Sequence, residues 1–117
     1  MVKKKVLVVE DDYAIAKGIE TFLSSEGYDI KMATNGSEAM EFIETETFDL
    51  ITLDVRMPGL NGGDVLRLIK GGVSKKPKII YITVSPKEEL NMEGVEDYIQ
   101  KPFDNSDLLA KVKRIIG

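Results

Sequence analysis

The chain has 117 residues, carries 20 acidic against 16 basic side chains for a net charge of −4, and contains no Cys, His or Trp. The missing Cys and His exclude disulfides, zinc knuckles and any thiol- or histidine-based dyad, so its chemistry must rely on carboxylates, hydroxyls, Lys and Arg. The length fits one compact domain, and we expect a single domain over residues 1–117.

The mildly acidic charge argues against a nucleic-acid surface, which needs a clustered basic excess. The longest apolar run, Val6–Val9, is far shorter than a membrane span, and the basic N-terminus lacks the long apolar region of a signal peptide. We therefore expect a cytoplasmic protein without membrane contact.

Apolar segments of strand length alternate with helical patterns. Lys5–Val9 is a continuous apolar run after its first residue, typical of a strand that is buried on both faces. A helical pattern follows over Tyr13–Glu26 and ends at Gly27. Apolar residues then alternate with polar ones over residues 28–32, which predicts a half-exposed strand.

The second helix is predicted to begin at Asn35-Gly36, where Glu38 gives the spacing of a capping box. Its predicted buried stripe consists of Ala39, Phe42 and Ile43. The third strand is predicted over Phe48–Leu53, directly before Asp54. Beyond it, the pairs Pro58-Gly59, Gly62-Gly63 and Gly71-Gly72 are predicted to break the chain. A short helix over residues 64–70 has these predicted inward side chains: Val65, Leu66, Leu68 and Ile69.

The last third continues the alternation. A fourth strand is predicted over Lys78–Val84, and Ser85–Asn91 has room for one or two helical turns, with Pro86 in the first. A fifth strand follows over Asp97–Gln100. The last helix begins at Asp104 or Asn105, and its apolar residues recur up to residue 116.

Five strand–helix pairs predict an α/β fold, an open parallel sheet with helices on both faces. Ligands bind such sheets outside the carboxyl ends of the strands. The polar residues at or just after the predicted strand ends are Glu10, Asp11, Asp12, Asp54, Thr83 and Lys101. Clustered carboxylates repel one another, so we expect a divalent cation such as Mg²⁺ to bind them. Asp12 is better explained as the N-cap of the first helix.

Four stretches at these strand ends resemble the response-regulator receiver domain, the phosphoacceptor half of two-component signalling. They are residues 6–12 (VLVVEDD), 49–62 (DLITLDVRMPGLNG), 81–83 (YIT) and 98–103 (YIQKPF). The resemblance extends from Val6 to about Ile116. It implies a flavodoxin-like five-stranded sheet with strand order 2-1-3-4-5. Thr83 and Lys101 are 18 residues apart, fewer than is usual in the family, so we expect the fourth helix to be short.

The resemblance also implies the roles of the site residues. Asp54 matches the phosphoacceptor, and Lys101 matches the lysine that pairs with the phosphoryl oxygens. Mg²⁺ would be held by Asp11 directly, by Glu10 through water, by Asp54, and by the backbone carbonyl of Arg56. Glu10 is a mild variant, since the family often has Asp there.

Thr83 and Tyr98 match the family's switch pair. Once Asp54 is phosphorylated, the Thr83 hydroxyl would donate to a phosphate oxygen, and Tyr98 would move into the space that the loop vacates. This would change the face formed by the fourth helix, the fifth strand and the fifth helix. The resemblance further implies a cis Lys101–Pro102 bond.

Three residues near the expected site are distinctive. Val84 stands where the family usually has a small residue, and we expect it to narrow access to the site. Arg56 and Ser85 occupy variable positions that are expected to tune hydrolysis, in a direction that the sequence leaves open.

As a receiver domain, the chain would take its phosphoryl group from a sensor histidine kinase or a histidine phosphotransfer protein. It would signal to a downstream protein target. It would not be an enzyme, although it would assist its own phosphorylation and dephosphorylation. The main alternative is an inert receiver-fold binding module that is never phosphorylated.

An enzyme is the third class considered. A haloacid-dehalogenase-type phosphohydrolase needs Asp-x-Asp after its first strand, and a flavodoxin needs a Ser/Thr-rich loop there. Residues 10–13 (EDDY) match neither pattern.

Overall fold

A computed structural model describes residues 2–57, 62–72 and 76–117. Five strands form one parallel sheet in the order β2-β1-β3-β4-β5, which confirms the predicted order. The strands are β1 (Lys5–Val9), β2 (Asp29–Ala33), β3 (Leu50–Leu53), β4 (Lys78–Thr83) and β5 (Asp97–Gln100). The α-helices are α1 (Tyr13–Ser25), α2 (Gly36–Thr45), α3 (Gly62–Gly72) and α4 (Asn105–Ile116).

Strand β1, which lies between β2 and β3, is buried on both faces, as its apolar run predicts. Leu7 and Val9 face a core cluster shared with α2 and α3, whereas Val6 and Val8 face a second cluster shared with α1 and α4. The side chains alternate in this way because successive residues of a strand point to opposite faces. The helices therefore cover both faces and leave the carboxyl edge of the sheet for the site.

The ends of α1 follow the predicted signals. The Asp12 carboxylate accepts a hydrogen bond from the Ile15 backbone N–H at 3.2 Å, so Asp12 is the N-cap. The helix ends at Ser25, with Glu26 as C-cap. Gly27 follows at φ +96°, in the left-handed region where glycine is favoured.

Helix α2 begins with the predicted cap. The side chain of Asn35 accepts a hydrogen bond from the Glu38 N–H at 2.8 Å, and the Glu38 carboxylate reaches back to the N–H of Thr34, also at 2.8 Å. The Glu38 carboxylate thus accepts from the residue before the N-cap, whereas in a capping box it would accept from the N–H of the N-cap itself. Ala39 and Ile43 are buried, whereas Phe42 is only partly buried.

Several predicted boundaries were wrong. Helix α3 includes both glycine pairs that were expected to flank it, because burial of Val65, Leu66 and Ile69 outweighs the weak helix propensity of glycine. Strand β3 begins at Leu50 rather than Phe48, and β4 ends at Thr83 rather than Val84. The break at Pro58-Gly59 and the inward Leu68 side chain lie outside the described residues.

The segment between β4 and β5 contains a single 3₁₀ turn, Lys87–Glu89, in place of an α-helix. One turn is the shorter of the two lengths that the sequence predicted for this segment. Pro86 precedes the turn in an extended conformation, φ −66° and ψ 150°, rather than lying in its first turn.

Helix α4 begins at Asn105 with Asp104 as N-cap and buries Leu108 and Val112. None of the helices within the described ranges has the length and apolar character to cross a membrane.

Candidate functional site

Backbone hydrogen bonds align the carboxyl ends of the strands at one edge of the sheet. The N–H of Asp54 donates to the carbonyl of Val9 at 3.1 Å, and the N–H of Lys101 donates to the carbonyl of Thr83 at 2.9 Å. Residues that follow β1, β3 and β5 therefore meet, although they are far apart in sequence.

A buried lysine bridges two carboxylates at this edge. Lys101 Nζ lies 2.9 Å from Asp54 Oδ2 and also donates to Glu10 Oε1. The side chains of Lys101, Asp54 and Glu10 are only 11, 6 and 3% exposed, so the three charged groups have little access to solvent. In such surroundings each charge depends on the others for compensation.

The pKa values reflect this burial. Burial raises the pKa of Glu10 above its ordinary value, and the hydrogen bond from Lys101 offsets only part of that rise. Burial also works to lower the pKa of Lys101, but its hydrogen bonds to Glu10 and Asp54 outweigh burial and raise that pKa. Lys101 is therefore a firmly protonated ammonium at neutral pH.

The second oxygen of Asp54 is held by the backbone. Asp54 Oδ1 accepts a hydrogen bond from the Arg56 N–H at 2.9 Å, and this bond fixes the carboxylate relative to the loop after β3. The carbonyl of Arg56 as a metal ligand stays a prediction.

Three carboxylates have a geometry that suits a metal ion. Glu10, Asp11 and Asp54 each offer an oxygen, and these oxygens all lie within 4.8 Å of one another. Asp11 is exposed and the other two are buried, so an ion would have a solvent-facing side. A set of oxygen ligands alone fits Mg²⁺, which binds few carboxylates and keeps several waters.

Thr83 and Tyr98 both connect to the segment after β4. Thr83 is fully buried, and its hydroxyl accepts a hydrogen bond from the Ser85 N–H at 3.3 Å. The Tyr98 hydroxyl donates to the Ser85 carbonyl at 2.9 Å. The Tyr98 ring packs against the core cluster that β1 shares with α2 and α3. Burial raises the pKa of Tyr98, and the charge of Glu88 adds to the rise.

A cleft of about 420 Å³ borders the site between α1 and the start of α4. Val84, which is 53% exposed, lines it together with Lys101, Pro102 and Ile15. The Lys101–Pro102 bond is cis, as the resemblance implied. Val84 thus lies beside the predicted access route, and its effect on access stays a prediction.

The sequence did not predict two contacts of the site. Arg56 Nε donates to Ser85 Oγ at 2.6 Å, and Lys101 pairs with Glu10 as well as with Asp54. No local pattern signals these contacts, because each joins side chains far apart in sequence. The only sequence feature related to the pair of Lys101 with Glu10 is that Glu10 is one methylene longer than the Asp that the family often has there.

A parallel α/β sheet whose carboxyl edge gathers acids, a lysine and a buried threonine is the arrangement that the resemblance implies for a phosphoacceptor class of protein. A sequence profile of the response regulator receiver domain matches residues 6–113, and the chain belongs to that family. Receiver domains of this family are phosphoacceptor switches of two-component systems rather than conventional enzymes.

Curated relatives agree. The chain is 36% identical over 120 residues to the transcriptional regulatory protein CrdR of Helicobacter pylori, with 98% of this chain and 56% of CrdR covered. It is 34% identical over 113 residues to the transcriptional regulatory protein DltR of Streptococcus agalactiae, with 93% of this chain and 50% of DltR covered. The chain thus spans about half the length of the curated relatives it matches.

Solved structures are similar as well. A signal receiver domain from Bermanella marisrubri has a TM-score of 0.89 at 36% identity, covering 99% of this chain and 100% of its own. The response regulator TrrA of Thermotoga maritima, solved with Mg²⁺-BeF, has a TM-score of 0.84 at 34% identity, covering 96% and 98%. TrrA has also been solved in complex with the histidine kinase ThkA, with a TM-score of 0.85 at 32% identity, covering 97% and 99%.

Proposed function

We propose that Asp54 is the phosphoacceptor of this receiver domain and takes its phosphoryl group from a phosphohistidine on a partner protein. The observation that carries the proposal is the environment of the Asp54 carboxylate. It is buried, one oxygen is hydrogen-bonded to the Arg56 N–H, and the other is paired with Lys101.

In the proposed step, a carboxylate oxygen of Asp54 attacks phosphorus and forms an acyl phosphate. The P–N bond to the donor imidazole breaks, and the imidazole keeps the electron pair and takes up a proton. The Lys101 ammonium, already 2.9 Å from Asp54, would balance negative charge on the transferring group. The domain would thereby assist its own phosphorylation.

Glu10, Asp11 and Asp54 would hold Mg²⁺, with the Arg56 carbonyl as a further ligand. When bound, the ion would neutralise charge on the phosphoryl oxygens. The support from this chain is that its three carboxylates converge and that all of the donors are hard oxygens.

Thr83 and Tyr98 would transmit the change. The Thr83 hydroxyl is buried at the end of β4, and its proton would be the donor for a phosphoryl oxygen. Its Ser85 contact joins it to the segment that Tyr98 holds. The surface that would respond is formed by the 3₁₀ turn, β5 and α4.

A sensor histidine kinase or a phosphotransfer protein would donate the phosphoryl group, and a downstream protein would read the switched surface. The solved complex of TrrA with a histidine kinase supports the first partner by analogy. The net charge of −4 supports a protein target rather than direct nucleic-acid contact. The cytoplasmic location and the single-domain extent over residues 1–117 stay predictions.

The test is to incubate the protein with acetyl phosphate and Mg²⁺ and measure its intact mass. We expect a gain of one phosphoryl group in the wild type and none in Asp54→Asn. Asp49→Asn is the matched control, because Asp49 lies at the opposite end of β3 and should leave the adduct intact.

The inert binding module makes the opposite prediction, namely no adduct in any variant. An adduct that persists in Asp54→Asn would instead mean that another residue accepts the phosphoryl group. Either result would contradict the proposal.

A further inference from the structure

Ser85 links several parts of the site, although it lies in a loop. It is only 4% exposed, and it takes part in three hydrogen bonds. Its N–H donates to the Thr83 hydroxyl at 3.3 Å, its carbonyl accepts from the Tyr98 hydroxyl at 2.9 Å, and its own hydroxyl accepts from Arg56 Nε at 2.6 Å. The position of Ser85 therefore affects both residues of the switch pair.

Arg56 connects this loop to the phosphoacceptor. Its backbone N–H holds Asp54 Oδ1 at 2.9 Å, while its guanidinium reaches Ser85 across 29 residues of sequence. The guanidinium also lies 3.5 Å from the Glu89 carboxylate in the 3₁₀ turn. One residue thus touches the loop after β3, the loop after β4 and the turn beyond it.

We propose that Arg56 is a positioning residue that fixes the loop after β4 through Ser85 and so keeps the Tyr98 hydroxyl docked on the Ser85 carbonyl before any phosphoryl group arrives. In this protein the switch would be partly set in advance by a side chain next to the phosphoacceptor. Phosphorylation of Asp54 would then change the position of Tyr98 less than it does when Arg56 is absent.

The two contacts of the guanidinium are unequal. The pair with Glu89 joins side chains that are 59 and 60% exposed, so water weakens it. The bond to Ser85 is short and ends on a buried hydroxyl, where a lost hydrogen bond costs more. We therefore assign the positioning effect to Ser85 and expect Glu89→Gln to behave almost like the wild type.

Arginine suits this role better than lysine. The planar guanidinium donates along fixed directions from several N–H groups, whereas an ammonium is a single point at the end of a flexible chain. Arg56→Lys keeps the charge but loses the fixed direction of the hydrogen bond. We therefore expect the Tyr98 hydroxyl to be docked on the Ser85 carbonyl hardly more often in Arg56→Lys than in Arg56→Ala. That result would separate positioning from a general effect of positive charge near Asp54.

The experiment follows Tyr98 directly in the unphosphorylated protein, without Mg²⁺. The chain has four tyrosines, so fluorotyrosine labelling gives few fluorine-19 NMR signals, and Tyr98→Phe identifies the one of interest. We expect Arg56→Ala and Ser85→Ala each to lower the ratio of docked to undocked Tyr98 by roughly 5- to 10-fold, the effect of about one net hydrogen bond. Arg67→Ala, which removes an exposed arginine paired with Asp64 in α3, should leave the signal unchanged.

A double-mutant cycle tests the path. If Arg56 acts through Ser85, the double variant should match Arg56→Ala alone rather than add to it. Additive shifts would overturn the proposal, as would an unchanged Tyr98 signal in Arg56→Ala or an equal shift in Arg67→Ala. If Arg56→Ala fails to fold, Arg56→Gln is judged by the same criteria.

The meaning of the inference for signalling rests on the proposed function, but its test does not. The mass experiment reports on Asp54 whatever Tyr98 does, and the NMR experiment needs no phosphorylation. Failure of one is therefore distinguishable from failure of the other.

Discussion

Lys101 compensates two carboxylates that would otherwise repel each other in a buried pocket. Its ammonium lies between Glu10 and Asp54, and all three side chains are nearly inaccessible to water. Removing one partner of a buried charge cluster costs more than removing an exposed pair, because the remaining charges keep their desolvation penalty.

Lys101→Met should therefore destabilise the protein strongly. We expect the free energy of unfolding at neutral pH to fall by about 3 kcal/mol, as measured by urea denaturation. Adding Glu10→Gln to this variant should recover part of the loss, because one orphaned charge disappears. The loss should also shrink as the pH falls and protonates Glu10, whose pKa is raised by burial, because a neutral Glu10 no longer repels Asp54.

Lys111→Met is the matched control for this prediction. Lys111 pairs with Asp97 at 3.0 Å, but the two side chains are 32 and 21% exposed. We expect a loss of less than about 1 kcal/mol there. Equal losses in the two variants would mean that side-chain packing, rather than buried charge, explains the effect at Lys101.

At the scale of single residues, the sequence predicted the members of the site but not all of their contacts. Asp54 and Lys101 each follow a strand and Thr83 ends one, so their meeting could be predicted because parallel strands end at one edge. The bond between Arg56 and Ser85 could not be found, because it depends on the rotamer of a long side chain and on the path of a loop. Neither leaves a periodic signal in the sequence.

The glycines of α1 show how one element uses the same residue type in two ways. Gly27 follows the helix at φ +96°, where a side chain is strained, whereas Gly18 lies inside the helix without a positive φ. A Cβ added at either position would meet nothing within 4 Å. Backbone conformation is therefore the main difference between the two sites.

Substituting alanine at the two positions should have opposite effects. We expect Gly27→Ala to lower the free energy of unfolding by about 1 kcal/mol, because alanine is disfavoured in the left-handed region. Gly18→Ala should raise it by about 0.5 to 1 kcal/mol, because alanine is a better helix former than glycine. Thermal unfolding of the two variants checks both signs, and a shared sign would contradict the assignment.

At the scale of elements, the sequence predicted the strands and caps well and the glycine-rich helix poorly. Asn35 and Asp12 carry capping signals that act within a few residues, so local sequence was enough to predict them. The extent of α3 depends on tertiary burial of Val65 and Ile69, which overrides the local preference of the flanking glycines. For the segment after β4, the number of residues predicted one or two helical turns but not that the structure would be a single 3₁₀ turn.

At the scale of the whole molecule, the acidic edge connects ion binding to stability. A ligand that binds only the folded state stabilises that state. Once the ligand concentration exceeds the dissociation constant, the stabilisation grows with the logarithm of the concentration. Glu10, Asp11 and Asp54 come together only when β1 and β3 pair, so the unfolded chain has no such site. Mg²⁺ should therefore stabilise the entire fold.

We expect the free energy of unfolding to rise by about 1.4 kcal/mol when Mg²⁺ is at ten times its dissociation constant, measured against NaCl at equal ionic strength. Asp11→Asn should remove most of this gain, because Asp11 offers one of the three converging oxygens. Asp12→Asn is the matched control: it removes the same charge from the neighbouring exposed position, and asparagine still caps α1. Retention of the gain in Asp12→Asn and its loss in Asp11→Asn would locate the ion at the predicted carboxylates. Equal losses would mean that Mg²⁺ responds only to the overall negative charge of this edge.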